Sequence, residues 1–513
     1  MVAAAHQEVK EEVDTPTPTL DTLPAHILLD LCIGSDTLGG CDLAALEAVA
    51  RHFRLTHSEN NGAVLSSGEA CTVLECAAER RVCGHKDGWR LYARPEECWK
   101  YVLAALEDGV LAPLPVVSAG TDFSMVCAAR GQIFAFGRNE RHQLGLGNSN
   151  EMVENNSEGM DTLEASPREV ERLRGRRVVG VASGEQHTAA LSEEGALLTW
   201  GDASDGRLGH GPVPAGTFHM HNVVAAPKMV TAGFPQGTRV ALVAAGDTCT
   251  ACISTLGEVF SWGQGRSGQL GHGDKEDQHI PKRVEALAEQ RVVGLVCGQG
   301  SSVAVTAGGE VFIWGTREED TAIEEEILTP ELVTFPNNER VRHVSCGGDM
   351  FAAVDIEGTL FTWGNGGMMG HGDEGDYKDS PTVVAALVGQ RVTVVSCGME
   401  HIAAVTEEGQ LWTWGNGDYG KLGSFDPYVH RYAPTCVNRS GLDEDCGGLP
   451  GGEAAVVRSV SCGSWHTVVV MASGEVCTFG NQRSGGGGLG RGPHCAGWPS
   501  MIAALPSLDE ASV

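Results

Sequence analysis

The chain is short of positive charge. Its 513 residues include 36 Lys and Arg against 67 Asp and Glu, a formal net charge of −31. Proteins that grip nucleic-acid phosphates need a basic footprint to displace counterions, so direct nucleic-acid binding is not expected. Long apolar runs are also missing, and no window approaches the roughly 20 residues of a membrane span, which predicts no membrane contact. The first twenty residues, MVAAAHQEVKEEVDTPTPTL, are acidic and proline-spaced and contain no apolar signal-peptide core. The 17 cysteines are odd in number and follow no regular short-spacing framework, which predicts reduced thiols in cytosol or nucleus. No phosphate loop or nucleophile elbow occurs, so neither catalytic residues nor a cofactor are expected and the chain does not read as an enzyme.

Glycine is what the sequence has in excess, 69 residues without a collagen-like period. It is ordered into a seven-fold repeat. An anchor glycine opens a short apolar stretch at Gly120, Gly184, Gly246, Gly298, Gly347, Gly398 and Gly463. Eleven residues after each lies a second glycine, and 17 residues after each a third, preceded by Phe136, Trp200, Trp262, Trp314, Trp363, Trp414 or Phe479. In the second copy His187 to Leu191 reads as a strand, Glu193-Glu194-Gly195 as a turn and Ala196 to Trp200 as the return strand, since glycine supplies the positive φ that tight hairpins need. Each copy then carries one proline, a third strand, and a fourth resembling Val292 to Cys297. Four antiparallel strands repeated seven times predict a mainly β fold, a seven-bladed β-propeller, with a small α-helical amino-terminal segment. The last copy ends without a fourth strand, and Val116 to Ala119 precede the first. Pairing these across the ends is expected to seal the ring.

Length variation is confined to a few connections. The long excursions are Asn148 to Ala165, Pro212 to Ala226 and Asn438 to Glu453. Strand alternation places the first two on one face of the disc and the third on the other, and such insertions are where repeat rings carry specificity.

The motif Gly184-Glu185-Gln186-His187-Thr188, with Trp262-Gly263-Gln264-Gly265-Arg266-Ser267-Gly268-Gln269-Leu270-Gly271-His272-Gly273, resembles the regulator of chromosome condensation repeat family. The resemblance runs from about Pro113 to Leu505. No Trp-Asp dipeptide occurs, which disfavours a WD-type propeller. Copy 4 departs from the pattern: Thr316 to Thr329 replaces the Gly-Gln-Leu-Gly segment with an acidic stretch containing Glu324-Glu325-Glu326, which predicts a remodelled connection.

Residues 21–112 have a different, helical character, between an acidic leader at 1–20 expected to be disordered and the propeller at 113–505; 506–513 form a tail. Leu23, Pro24, Ile27, Leu28 and Leu31 fit a helix with proline in its first turn. Asp42 caps a second helix with Leu43, Leu46, Val49 and Phe53 at helical spacing. Together they resemble an F-box or F-box-like motif. The resemblance implies that these nine side chains dock on the Skp-type adaptor of a cullin–RING ubiquitin ligase. The alternative is that Leu23 to Phe53 only cap the propeller.

Several constellations invite chemistry and have blander readings. His187, His401 and His466 share the column three residues after the anchor, but Phe123, Cys249, Ser301 and Met350 fill it elsewhere, so packed, hydrogen-bonded histidines are expected. Cys297, Cys346, Cys397 and Cys462 precede anchors and read as a small-residue packing column. Cys249 and Cys252 have redox spacing, yet a strand sends them to opposite faces. His219 and His221 lack a third metal ligand nearby, so no metal is expected. Arg172 to Arg177 reads as a solvated turn rather than a nuclear signal.

Three functions fit the resemblance. One is a protein-interaction platform whose propeller binds a target while F-box-like helices recruit a ubiquitin ligase. A second is a guanine-nucleotide exchange factor or regulator for a small Ran-like GTPase. The third, an ultraviolet-B photoreceptor, depends on Gly-Trp-Arg-His-Thr patterns, and the residues after the anchors here are Thr121, Glu185, Asp247, Gln299, Gly348, Met399 and Ser464. Residues 1–112 hold 9 basic and 18 acidic residues, leaving 27 and 49 for the remainder, a formal −22. That acidity favours a basic protein target.

Overall fold

The computed structural model describes residues 116–128, 131–147, 163–212, 222–318, 324–364, 368–372, 377–424, 428–437, 449, 455–481 and 500–501. These form seven four-stranded antiparallel sheets, the blades of a seven-bladed β-propeller. The adaptor-binding residues Leu23 to Phe53, the leader and the tail lie outside the described residues, as do His219 and His221.

Blade 1 shows the plan: Val116–Ala119, Phe123–Cys127, Ile133–Arg138 and Leu163–Glu169 pair in sequence order. The first strands of successive blades neighbour one another around the axis. Second and third strands are buried along almost their whole length, for example His187–Ser192 and Leu197–Asp202, because both faces of each sheet are covered by adjoining blades. This is why they read as continuous apolar runs and not as an alternation. Trp200, Trp262, Trp314 and Trp414 are fully buried between blades.

The repeat is cut differently from the sequence expectation. Val116–Ala119 pairs with Phe123–Cys127 of its own blade, with Val117 opposite Val126, and not with the last blade. Likewise Val292–Cys297, read as the end of one copy, is the first strand of the next blade, paired with Ser301–Thr306. The last blade supplies its own outer strand, Ser500–Met501. Among the described residues no strand is exchanged between the chain ends, because every anchor glycine forms the turn between a blade's first and second strands. The ring is closed by packing and hydrogen bonds between blades 1 and 7 instead. Ala119, Val126, Phe134 and Phe136 of blade 1 pack with Val468, Val470 and Val476 of blade 7. The Ala119 amide donates to Ser461 Oγ at 3.0 Å, and Ser124 Oγ meets His466 Nε2 at 2.7 Å.

Blade 4 is remodelled as its sequence predicts. Its third and outer strands, Val311–Glu318 and Glu324–Val333, run past the level at which other blades end, with Glu318 opposite Glu324. Arg172, Arg174, Arg176 and Arg177 are exposed, on and just after a short 3₁₀ turn at Glu171–Leu173. Among the described residues no helix is long and apolar enough to cross a membrane.

The anchor glycines are fixed by close approach. A Cβ on Gly184 would lie 2.3 Å from the Gly246 carbonyl oxygen, one on Gly347 2.1 Å from that of Gly398, and one on Gly463 2.2 Å from that of Gly120. Gly298 is the exception, its nearest neighbour being Cys346 Sγ at 3.4 Å. Gly184→Ala is therefore expected to destabilise the ring by about 3 kcal/mol or more, whereas Gly298→Ala stays within about 1 kcal/mol. Thermal or urea unfolding of the two variants reads the difference, and equal losses would contradict the crowding argument.

Candidate functional site: the anchor-turn face

In every blade the turn between first and second strands and the connection between third and outer strands open at the same end of the sheet. One disc face therefore carries seven anchor turns and seven variable connections. The connections holding Asn148 to Ala165 and Pro212 to Ala226 start here, whereas that of Asn438 to Glu453 leaves an outer strand at the opposite face. Most residues of these three excursions lie outside the described ones.

Each ordinary connection folds back onto the following blade. The Gln143 carbonyl accepts from Trp200 Nε1 at 2.8 Å and from Thr188 Oγ1 at 2.7 Å. The Arg207 carbonyl accepts from Trp262 Nε1 at 3.0 Å and Thr250 Oγ1 at 2.7 Å; that of Gln269 accepts from Trp314 Nε1 and Ser302 Oγ. Each such bond contributes about 0.5–1.5 kcal/mol net, and leaving the indole unpaired would cost more. A glycine slightly further on then bonds the next outer strand: the amides of Gly147, Gly211 and Gly273 donate to Ala225, His279 and Leu328.

The histidine column belongs to the same inter-blade system. His187 Nε2 lies 2.8 Å from Thr250 Oγ1, and His401 Nε2 2.8 Å from Thr467 Oγ1. Both hydroxyls give their protons to carbonyls, of Arg207 and Lys421, so each imidazole must be the donor through Nε2. Burial holds these rings neutral: His187 is pushed down to about 3 and His466 to about 4, and His401 lies well below the usual value. They are structural, as the sequence predicts. The cysteine column is likewise buried. Burial pushes the Cys462 thiol up to about 12, and Cys249, hydrogen-bonded to Cys297 and buried, keeps its proton. Cys249 and Cys252 point into different core clusters. Among the described residues no group of three His, Cys, Asp or Glu side chains could hold a metal.

Two cations on this face escape sequence reasoning. Arg207, 5% exposed, lies 3.6 Å from Asp202 and 3.3 Å from Asp205, and donates to the Asp247 carbonyl. Lys421, fully buried, reaches Glu400 at 3.3 Å and stands 5.1 Å from the centre of the Trp465 ring, with Tyr419 edge-on to that ring. Burial lowers the Lys421 pKa and Glu400 opposes the shift. The signal available was their position, since both replace the glutamine of Gly-Gln-Leu-Gly.

At the axis the anchor turns surround a cavity of about 170 Å³ lined by Thr121, Asp247, Gln299, Met399 and Ser464 among others. Burial, with Glu185 nearby, pushes the Asp247 carboxyl up to about 6, against the opposing charge of Arg207. The carboxylate forms no hydrogen bond or ion pair among the described residues.

A family model for the RCC1-like domain matches residues 155–493. The chain belongs to this family. It is 30% identical over 421 residues to the ultraviolet-B receptor UVR8 of Arabidopsis thaliana, which spans 79% of this chain and 86% of the receptor. It is also 31% identical over 370 residues to the human E3 ubiquitin-protein ligase HERC2, covering 71% of this chain but 7% of that protein. Prp20p of Saccharomyces cerevisiae, crystallised in a study of its binding to Gsp1p and histones, superposes with a TM-score of 0.55 at 19% identity, over 69% of this chain and 81% of Prp20p. At that identity the likeness concerns the fold. In this RCC1-like chain the anchor turns carry one tryptophan, Trp465, and none at the position directly after an anchor.

Two pH effects of opposite sign follow. The depressed histidines stabilise the fold above the ordinary imidazole pKa of about 6.5, and this contribution is lost as the pH falls toward 4. The melting temperature is expected to fall between pH 7 and 4.5, with a shallower slope in His466→Asn; a flat wild-type profile would contradict it. Asp247 is raised from 3.8 to about 6, so its contribution is present below the ordinary carboxylate range and is lost as the pH rises through 6. Asp247→Asn should melt roughly 2–4 °C higher than wild type at pH 7.5 and no higher near pH 4, measured by calorimetry.

Proposed function

We propose that the chain is a non-enzymatic protein-interaction platform of cytoplasm or nucleus whose anchor-turn face binds a basic protein target. The observation that carries this is charge: residues 113–505 hold 47 acidic and 27 basic residues, and the variable connections of the propeller are concentrated on one face. Acidity of this size steers basic partners toward the surface and repels nucleic acid. The finer reading rests on the amino-terminal sequence. Leu23, Pro24, Ile27, Leu28 and Leu31, with Leu43, Leu46, Val49 and Phe53, form an F-box-like motif that docks a Skp-type adaptor, so the bound target becomes a ubiquitination substrate. Light sensing is not proposed, because none of the seven residues following the anchors is tryptophan.

Affinity purification of the full chain tests this reading. A Skp-type adaptor is expected to co-purify, and Leu28→Asp is expected to abolish its recovery while leaving the melting transition of the propeller unchanged. Recovery of a small Ran-like GTPase whose nucleotide release the chain accelerates would replace it with the exchange-factor function.

A further inference from the structure

The axial cavity is ringed by backbone and uncharged side chains, with one exception. Asp247 lines it, is half-buried, and has neither hydrogen bond nor ion pair for its carboxylate among the described residues. The nearest cation, Arg207, is committed elsewhere: its guanidinium serves Asp202, Asp205, and the Ser204 and Asp247 carbonyls. A half-buried carboxylate that the fold leaves unpaired weakens the native state at neutral pH, and a ligand that supplies the missing charge offsets that cost.

Size restricts what that ligand can be. Pockets for cofactors and drug-sized molecules hold about 300–1,000 Å³, and 170 Å³ falls below that range. A cavity of that size suits one long side chain. A metal ion lacks donors, since no three ligating side chains converge among the described residues. A cationic side chain does not need them. It can pair with one carboxylate and give its remaining N–H groups to neutral oxygens, which Thr121, Gln299 and Ser464 supply around the lip. Met399, 38% exposed at the same lip, offers apolar contact to an aliphatic stem.

We propose that the axial mouth is a socket for a single lysine or arginine side chain of a protein partner, with Asp247 as its counter-charge. The socket rests on the reading that this face binds a basic protein, and it adds the point at which that protein is anchored. The acidic surroundings raise the encounter rate; Asp247 holds the side chain once it has entered.

The test uses the full chain and a fluorescein-labelled peptide of four Gly-Lys repeats, with fluorescence anisotropy read at low salt. Asp247→Asn removes the counter-charge, and its fold is secure because the change relieves a destabilising carboxylate. Asp274→Asn removes a charge on the same face away from the axis, where Asp274 pairs with Lys282 at 3.6 Å. Asp247→Asn is expected to weaken binding roughly tenfold and Asp274→Asn less than about twofold. Equal weakening by both variants, or by neither, would overturn the socket and leave a diffuse basic-partner surface standing. Failure of the wild-type chain to bind the peptide at all would overturn the basic-partner reading itself.

Discussion

The ring depends on how closely one blade's anchor glycine approaches the next. At six of the seven junctions the space a Cβ would occupy lies within 3 Å of the following anchor's carbonyl oxygen. Only a residue without a side chain lets the first strands converge so tightly on the axis. That convergence brings the second strands near enough for histidine and hydroxyl side chains to meet across blades, as His187 and Thr250 do, and sets the indoles against the returning connections. Removing the glycines would not cost one contact; it would spread the whole stack.

The seventh junction shows what happens when the scheme is relaxed. Between blades 4 and 5 the returning connection is replaced by the long acidic hairpin, and Phe351 occupies the position of the usual hydroxyl. The gap is filled by aromatic packing: Phe351 stacks on Trp363 at 5.6 Å, and Phe335 meets Trp363 edge-on at 5.9 Å. Such pairs contribute about 0.5–1.5 kcal/mol beyond their burial, comparable to the hydrogen bonds they replace. Gly298, the anchor with room to spare, lies at this same junction.

Much of this was legible in the sequence. Three glycine columns with fixed spacing specify blade number, hairpins and buried aromatics, because each column marks a backbone requirement no other residue meets. The phase of the repeat was not legible. A periodic sequence shows that Val116 to Ala119 is a strand but not which neighbour it pairs with, and both cuts bury the same apolar residues. The carbonyls of Gln143, Arg207 and Gln269 were invisible for a simpler reason, since a backbone acceptor leaves no mark on residue identity. Asp247 sits in a column of Thr121, Glu185, Gln299, Gly348, Met399 and Ser464, where nothing distinguishes it; only its place in the axial cavity without a partner does.

The returning connections carry a consequence for how such a protein can diverge. Up to Gly147, Gly211 and Gly273 each connection is tied to the blade after it, so a change there disturbs two blades at once. Immediately beyond the first two of these glycines the chain opens into the insertions that begin at Asn148 and Pro212. The last tethered glycine is thus a boundary between inherited architecture and free sequence. Drift that retargets the disc face without loosening the ring has to accumulate on its far side.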